Sequence, residues 1–362
     1  MMIILEDKHL QQLLVQDRRK RVKWGFEWAI WAAVLWGLWY VPGTIVWSSP
    51  PFNLKIGILP SNITGFLISA AVISFFNSFW IVIFVGVVWL GVLKKWKEFL
   101  RTLRNIKISK WYVLGSFFGG PIAIFGSYLA MGYIGGAFAA AAALLYPITG
   151  ALLARIWYKE KITHRTLFGI LVIIAGGILI WNPRDILANI ANPAAPEGIW
   201  LGYLGGVMAA VGWGIEGAIV GQALDVSDPD ASYVVRFLSE LLLWFLILFP
   251  IITLASGIDV YAVANAALNM EALPWLALSG LTFGFCYVCW YKSFPLIGVG
   301  RGQALANLFV IVALTTLWLF LGVEIYWWII VGALICLFGA FFIYYQSGEK
   351  EIGISIRYEV KD

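Results

Sequence analysis

The chain has 362 residues, of which 61% are hydrophobic and only 12% charged, with a mean hydropathy of +0.86. That composition excludes a water-soluble domain, whose apolar share is roughly 45–50%, and the repeated apolar runs of about 20 residues separated by short polar gaps point to membrane-spanning helices rather than a barrel. The net charge of +5 follows from topology and does not suggest nucleic acid, because the basic residues lie in short loops between apolar runs and form no folded basic face.

Residues 1–23 are polar, with Arg18, Arg19, Lys20, Arg21 and Lys23 directly before the first apolar run. They read as a short cytoplasmic segment suited to an amphipathic helix on the anionic leaflet. A cleaved signal peptide does not fit, since the run that follows is too long and ends without a small-residue cleavage site. Hydropathy then predicts ten helices, over Trp24 to Trp47, Thr64 to Leu93, Trp111 to Met131, Gly135 to Trp157, Thr166 to Trp181, Trp200 to Leu224, Tyr233 to Ser256, Pro274 to Phe294, Gly302 to Leu321 and Trp327 to Tyr345. The second is too long for one upright span, so it must tilt, kink or protrude. Asn182 to Gly198, with three X-Pro pairs, separates two halves of five helices.

Loops rich in Lys and Arg alternate with loops lacking them. With the N-terminus inside, 23 of the 25 basic residues fall on one side, and only Lys55 and Arg184 fall on the other. The expected organisation is an all-α integral membrane protein of ten transmembrane helices with both termini cytoplasmic. It comprises a cytoplasmic segment (1–23), a first five-helix repeat (24–181), an extracytoplasmic linker (182–199), a second five-helix repeat (200–345) and a cytoplasmic tail (346–362). The cytoplasmic membrane is the expected location.

Two internal similarities mark the halves as repeats. Ala32-Ala33-Val34-Leu35-Trp36-Gly37 matches Ala209-Ala210-Val211-Gly212-Trp213-Gly214. Tyr128, Gly135, Gly169 and Gly176 recur 163 residues later as Tyr291, Gly298, Gly332 and Gly339, and Glu160 answers Glu324 at nearly that offset. An odd number of helices per half inverts the second repeat relative to the first, which is the geometry of alternating access around a midplane site.

The residues that carry a family resemblance are Gly119-Gly120-Pro121-Ile122-Ala123, Tyr133-Ile134-Gly135-Gly136-Ala137, Tyr146-Pro147 and Lys159-Glu160-Lys161-Ile162. With them the chain resembles the drug/metabolite transporter superfamily, specifically ten-helix EamA-like permeases, from Trp24 to Tyr345. Within it, Trp36-Gly37, Trp213-Gly214-x-Glu216, Arg236 and the run Tyr287 to Tyr291 look like the bacterial choline-permease branch. The resemblance implies a secondary transporter of a small organic cation, with amino acids, sugars or drugs as the alternative cargo.

The residues themselves bear on that cargo. An ionisable group at membrane depth costs about 2.5–3.5 kcal/mol, so Glu216 calls for a polar function. Trp213 lies three residues earlier, on the same helical face. A quaternary ammonium has no N–H to donate and is held by aromatic faces with a carboxylate balancing its charge. Trp36 and Trp213 are placed to face each other across a central cavity, with Glu216 about 4.5 Å further along its helix. Its repeat partner is Trp39, so only one half carries the acid. Plain packing competes for both tryptophans, and a structural ion pair competes for Glu216. Arg236 and Glu240, four apart, read as a local pair near the cytoplasmic end, and Lys23 with Glu27 as another. Asn77, Gln303 and Asn307 suit either a substrate hydroxyl or interhelical hydrogen bonds. Tyr146, Trp290 and Tyr291 complete an aromatic cage on the strength of the resemblance.

Cys286-x-x-Cys289 lacks the second pair a tetrahedral metal site needs, and both histidines lie in polar segments. No metal, cofactor or enzymatic activity is expected. A nucleophile–base pair or a ring of like charges within the spans, which an intramembrane enzyme or a channel would need, is not apparent. The expected partners are a small-molecule substrate and the lipid bilayer, with a single copy able to contain the site.

Overall fold

The computed structural model describes residues 2–53, 59–157, 164–224 and 226–342. Lys55, the Lys159-Glu160-Lys161-Ile162 motif and the tail after Tyr345 lie outside the described residues. Within them every regular element is a helix, with no strand. Among the described residues nine helices are long and apolar enough to cross a membrane: α1 (Lys20–Ser48), α2 (Ile63–Leu93), α3 (Ile106–Tyr133), α4 (Gly136–Leu153), α5 (His164–Ala191), α6 (Trp200–Gly221), α7 (Pro229–Ser256), α8 (Leu273–Ile297) and α9 (Arg301–Leu321). A shorter apolar helix, α10 (Trp327–Phe342), follows.

Two predicted segments differ from expectation. The polar residues before Trp24 form no separate helix, because their backbone is continuous with the first span in one helix over Met2–Ile45. The linker is not irregular throughout. After Asn182, held at φ 33°, Pro183–Ala191 is helical, with proline in the first turn, where its missing N–H is not needed.

The long second run keeps its length by changing its winding. Val82–Trp89 is π-helical, and so are Phe118–Ile124 in α3 and Trp244–Leu248 in α7. In α3 the cause is Pro121, whose missing N–H and bulky ring break the ordinary ladder. α4 and α9 are interrupted instead, at residues 144–145 and 307–308. Pro147 explains the first, since it cannot donate back to Ala143. The two breaks lie at the 163-residue offset read from the sequence. Gly135 and Gly298, also 163 apart, cap these helices at φ 112° and 84°, a conformation that favours glycine at both turns.

Small residues set the close contacts. A Cβ on Gly37 would strike the Phe309 carbonyl and the Ala313 amide of α9, and a Cβ on Gly214 would strike the Tyr146 carbonyl and crowd the Gly150 amide of α4. Gly176 abuts Gly332, and Gly169 abuts Gly339, so α5 and α10 pack antiparallel. Each helix of such a pair approaches the other's backbone where a side chain would hold them apart.

Candidate binding site between the helices

The centre of the molecule is an aromatic cluster around Trp36. Its ring stacks on Phe309 at 4.4 Å and meets Trp213 edge-on at 5.0 Å, with Trp290 at 6.1 Å and Tyr146 and Phe283 at 6.2 Å. α1, α4, α6, α8 and α9 each supply a ring, and all six side chains are buried. Trp36 and Trp213 therefore touch, rather than facing each other across a cavity. The indole N–H groups of Trp213 and Trp290 have no hydrogen-bond partner among the described residues, so packing alone holds those rings. Such rings can part at lower cost than rings tied by hydrogen bonds.

The break in α9 borders this cluster. Tyr146 donates its hydroxyl proton to the Gln303 carbonyl at 3.1 Å, joining the α4 break to the turn before the α9 break. The Gln303 amide lies against Gly217 of α6, where a Cβ would displace it. Asn307, at the break itself, is fully buried with both amide atoms unpartnered among the described residues. Tyr291 stands one ring outward, 5.9 Å from Trp290 and 5.7 Å from Tyr287.

Trp39 and Asn77 belong to a neighbouring node. Trp39 stacks on Phe283 at 4.3 Å and donates to Asn77 Oδ1 and to the Tyr128 hydroxyl, both at 3.1 Å. Tyr128 and Ser279 also bond Asn77 Oδ1, at 3.2 and 3.1 Å. One amide oxygen thus ties α1, α2, α3 and α8 together, and the interhelical role competes directly with substrate contact for these two residues.

Behind the cluster lies a fully buried ionic network. Arg236 Nε donates to Glu216 Oε1 at 2.6 Å, and Arg236 Nη1 donates to Glu240. Ser78 of α2 donates to Glu240, and Tyr287 donates to Glu216 Oε2 at 2.7 Å. The guanidinium also covers the faces of Phe237 and Tyr287, at 3.9 and 5.0 Å. The expected Arg236–Glu240 pair is thus present, but it is fully buried and extends to Glu216 instead of being local. Gly119 and Gly120 explain the room for it, since a Cβ on the first would collide with Arg236 and Glu216 and on the second with Glu240. Both glycines lie in the π-helical part of α3, and Ser78 and Glu240 stand one turn before those of α2 and α7.

Two carboxylates against one guanidinium leave the network one negative charge when all are ionised. Taking these charges out of water is costly, so the many hydrogen bonds are what sustain them. Tyr287 joins network and cage. Its hydroxyl binds Glu216, while its ring meets Phe283 at 5.1 Å and Trp290 at 5.3 Å.

A third cluster lies at the face on which α1, α3, α5, α7 and α9 begin. Asp230 accepts from Lys95 at 2.7 Å, Lys292 at 3.0 Å and Trp89 at 3.1 Å, and Asp228 accepts from Lys95 at 2.7 Å. Lys292 lies over the rings of Trp28 and Trp89 at 4.9 and 5.2 Å. Sequence reasoning gave no weight to Lys95, Asp228 or Asp230. Lys23 and Glu27 form their expected exposed pair at 3.7 Å on the same face.

Protein LicB of Haemophilus influenzae is 25% identical over 196 residues, a match that spans 53% of this chain and 60% of that protein's length. A crystal structure of a protein with 15% sequence identity superposes with a TM-score of 0.50, covering 88% of this chain and 95% of the other, which is a likeness of fold alone. The EamA-like transporter family matches residues 200–345. That stretch, which is similar to the EamA-like transporter family, contributes Trp213, Glu216, Arg236, Glu240, Tyr287 and Trp290 to the site.

Proposed function

We propose that the protein carries a small organic cation, choline or a related quaternary amine, by alternating access between two inverted halves, 24–181 and 200–345. The observation that carries this reading is the six-ring cage around Trp36, with the network of two carboxylates and one guanidinium linked to it through Tyr287. Aromatic faces attract a cation that cannot donate hydrogen bonds, more strongly once water is excluded. The matched interruptions of α4 and α9 support a site between the halves, because broken helices at corresponding positions expose backbone groups to a cargo. The mutual approach of Gly37 to α9 and Gly214 to α4 supports the same two-fold relation. The distribution of basic residues favours cytoplasmic termini in the cytoplasmic membrane.

The test is binding to the detergent-solubilised protein. Choline is expected to raise the melting temperature, and Trp213→Ala to abolish the rise. No shift with choline, betaine, carnitine or other quaternary amines would reject this cargo. One observation favours the second reading, an EamA-like carrier of amino acids, sugars or other metabolites. Glu216 is already matched by Arg236, so a neutral or zwitterionic cargo would not need it. Uptake of an amino acid, sugar or other metabolite in liposomes that take up no choline would decide for that reading.

A further inference from the structure

Outside the central site, the exposed surface between α3 and α7 holds a groove of 870 Å³. Its walls include Trp111, Leu114 and Phe117 of α3 and Leu246 of α7, between 41% and 61% exposed, and Lys110 stands at its mouth. The hydroxyls of Ser116 and Ser239 are turned onto the carbonyls of Val113 and Val235 at 2.7 Å, which leaves the walls apolar. Along α3 the groove runs from Ile106 to Phe117, about 16 Å at 1.5 Å per residue. One leaflet of the hydrocarbon core is about 15 Å deep.

The mouth opens on the most basic stretch of the chain. Residues 94–110 hold seven Lys and Arg residues against one carboxylate, Glu98. Trp96–Arg104 is a helix with Phe99 and Thr102 buried and Trp96, Leu100 and Leu103 exposed. That is the composition of a helix at the headgroup level, where basic clusters select anionic lipid. The Lys110 ammonium lies 4.9 Å from the centre of the Trp111 ring, which leaves its charge at the rim of the groove.

We infer that the α3–α7 groove is a site for one anionic glycerophospholipid of the leaflet on the N-terminal side, its phosphate at Lys107 and Lys110 and an acyl chain along Leu114, Phe117 and Leu246. The site lies apart from the cage and does not depend on what the cage carries. Its walls lead into the π-helical segments of α3 and α7, which hold Gly119, Gly120 and the turn after Glu240. A bound chain therefore braces the helices that enclose the ionic network.

Native mass spectrometry of the full chain with phosphatidylglycerol or phosphatidylcholine at equal mole fraction tests this, with the melting temperature read in parallel. One phosphatidylglycerol is expected to be retained in preference, with a larger thermal shift than phosphatidylcholine gives. Lys107→Gln with Lys110→Gln should remove the preference, and Leu246→Trp should cut retention at least fivefold. The melting temperature of each variant in phosphatidylcholine shows whether it is folded, and either variant alone suffices for the test. Equal retention of the two lipids, retention unchanged in both variants, stabilisation by glycerol phosphate alone, or a dimer that buries the groove would each overturn the inference.

Discussion

Asn307 is the buried polar side chain closest to being uncommitted at the site. It sits at the interruption of α9, next to Phe309, and both amide atoms lack a partner among the described residues. A buried amide without a partner costs stability, and a cargo hydroxyl would supply the missing bond. Choline offers a hydroxyl and tetramethylammonium does not. Asn307→Leu should therefore weaken choline binding by about 1 kcal/mol, roughly fivefold, and leave tetramethylammonium unchanged. Isothermal titration with the two ligands checks this, and an equal loss for both would assign Asn307 to packing. The sequence made some of this site readable. Trp36 and Trp213 stand out because they share a repeat position in mid-helix, away from the aromatic belts. Phe283 and Phe309 do not, because phenylalanine faces lipid as readily as cargo. Arg236 and Glu240 formed a complete pair at helical spacing, which hid the more distant bond to Glu216. Ser78 carried no signal, since a serine in a span usually bonds its own backbone, as Ser74 does with Ala70.

At the scale of elements, hydropathy located the helices well, and α6 begins and α9 ends on the residues read from the sequence. What it could not show was winding. π-turns and the interruption at 144–145 conserve apolar composition and alter only which carbonyl each amide reaches, and the one at 307–308 marks the composition only by Asn307. The salt-bridge cluster was illegible for a related reason, as Lys95, Asp230 and Lys292 lie in three separate parts of the chain. It joins the end of α2, the start of α7 and the end of α8, and Lys292 covers Trp28 of α1, so in the proposed alternating-access cycle it would have to break for this face to open. Burial works against the Lys95 ammonium, but the hydrogen bonds and charges of Asp228 and Asp230 outweigh it and raise its pKa above the usual lysine value. A raised pKa gives stability that is complete below the ordinary lysine range and lost only as pH climbs past it, so proton release from Lys95 does not unlock this face near neutrality. Asp230→Asn removes the shared charge and one of its two acceptor oxygens. The lysines are 20–30% exposed, so about 1 kcal/mol is at stake, and less at high salt. Cys289, buried three residues before Lys292, reports the opening. With Cys286 and Cys336 replaced by alanine, maleimide labelling of Cys289 should rise roughly fivefold in Asp230→Asn, and an unchanged rate would deny the cluster a gating role.

For the whole molecule the question is what drives the cargo. Glu216 does not face the cage as a free carboxylate. Arg236 and Tyr287 hold both of its oxygens, and Ser78 and Arg236 hold those of Glu240. If the proposed cation enters among the rings, displacing ring–ring contacts and leaving these bonds in place, its charge is not exchanged for one already on the protein. Each transport cycle then moves one net positive charge. Moving one elementary charge across the membrane is worth about 2.3 kcal/mol per 100 mV, so a potential of about 60 mV, negative inside, should concentrate choline roughly tenfold in liposomes with no pH gradient. Radiolabelled uptake under imposed potassium-diffusion potentials measures this, with Trp213→Ala as the blank. If accumulation followed an imposed pH gradient and ignored the potential, a proton would be leaving the network as the cation enters. Arg236 and Tyr287 would then have to release Glu216 during the cycle, and the aromatic cage and the ionic network would be one site alternately occupied rather than two layers of a single binding surface.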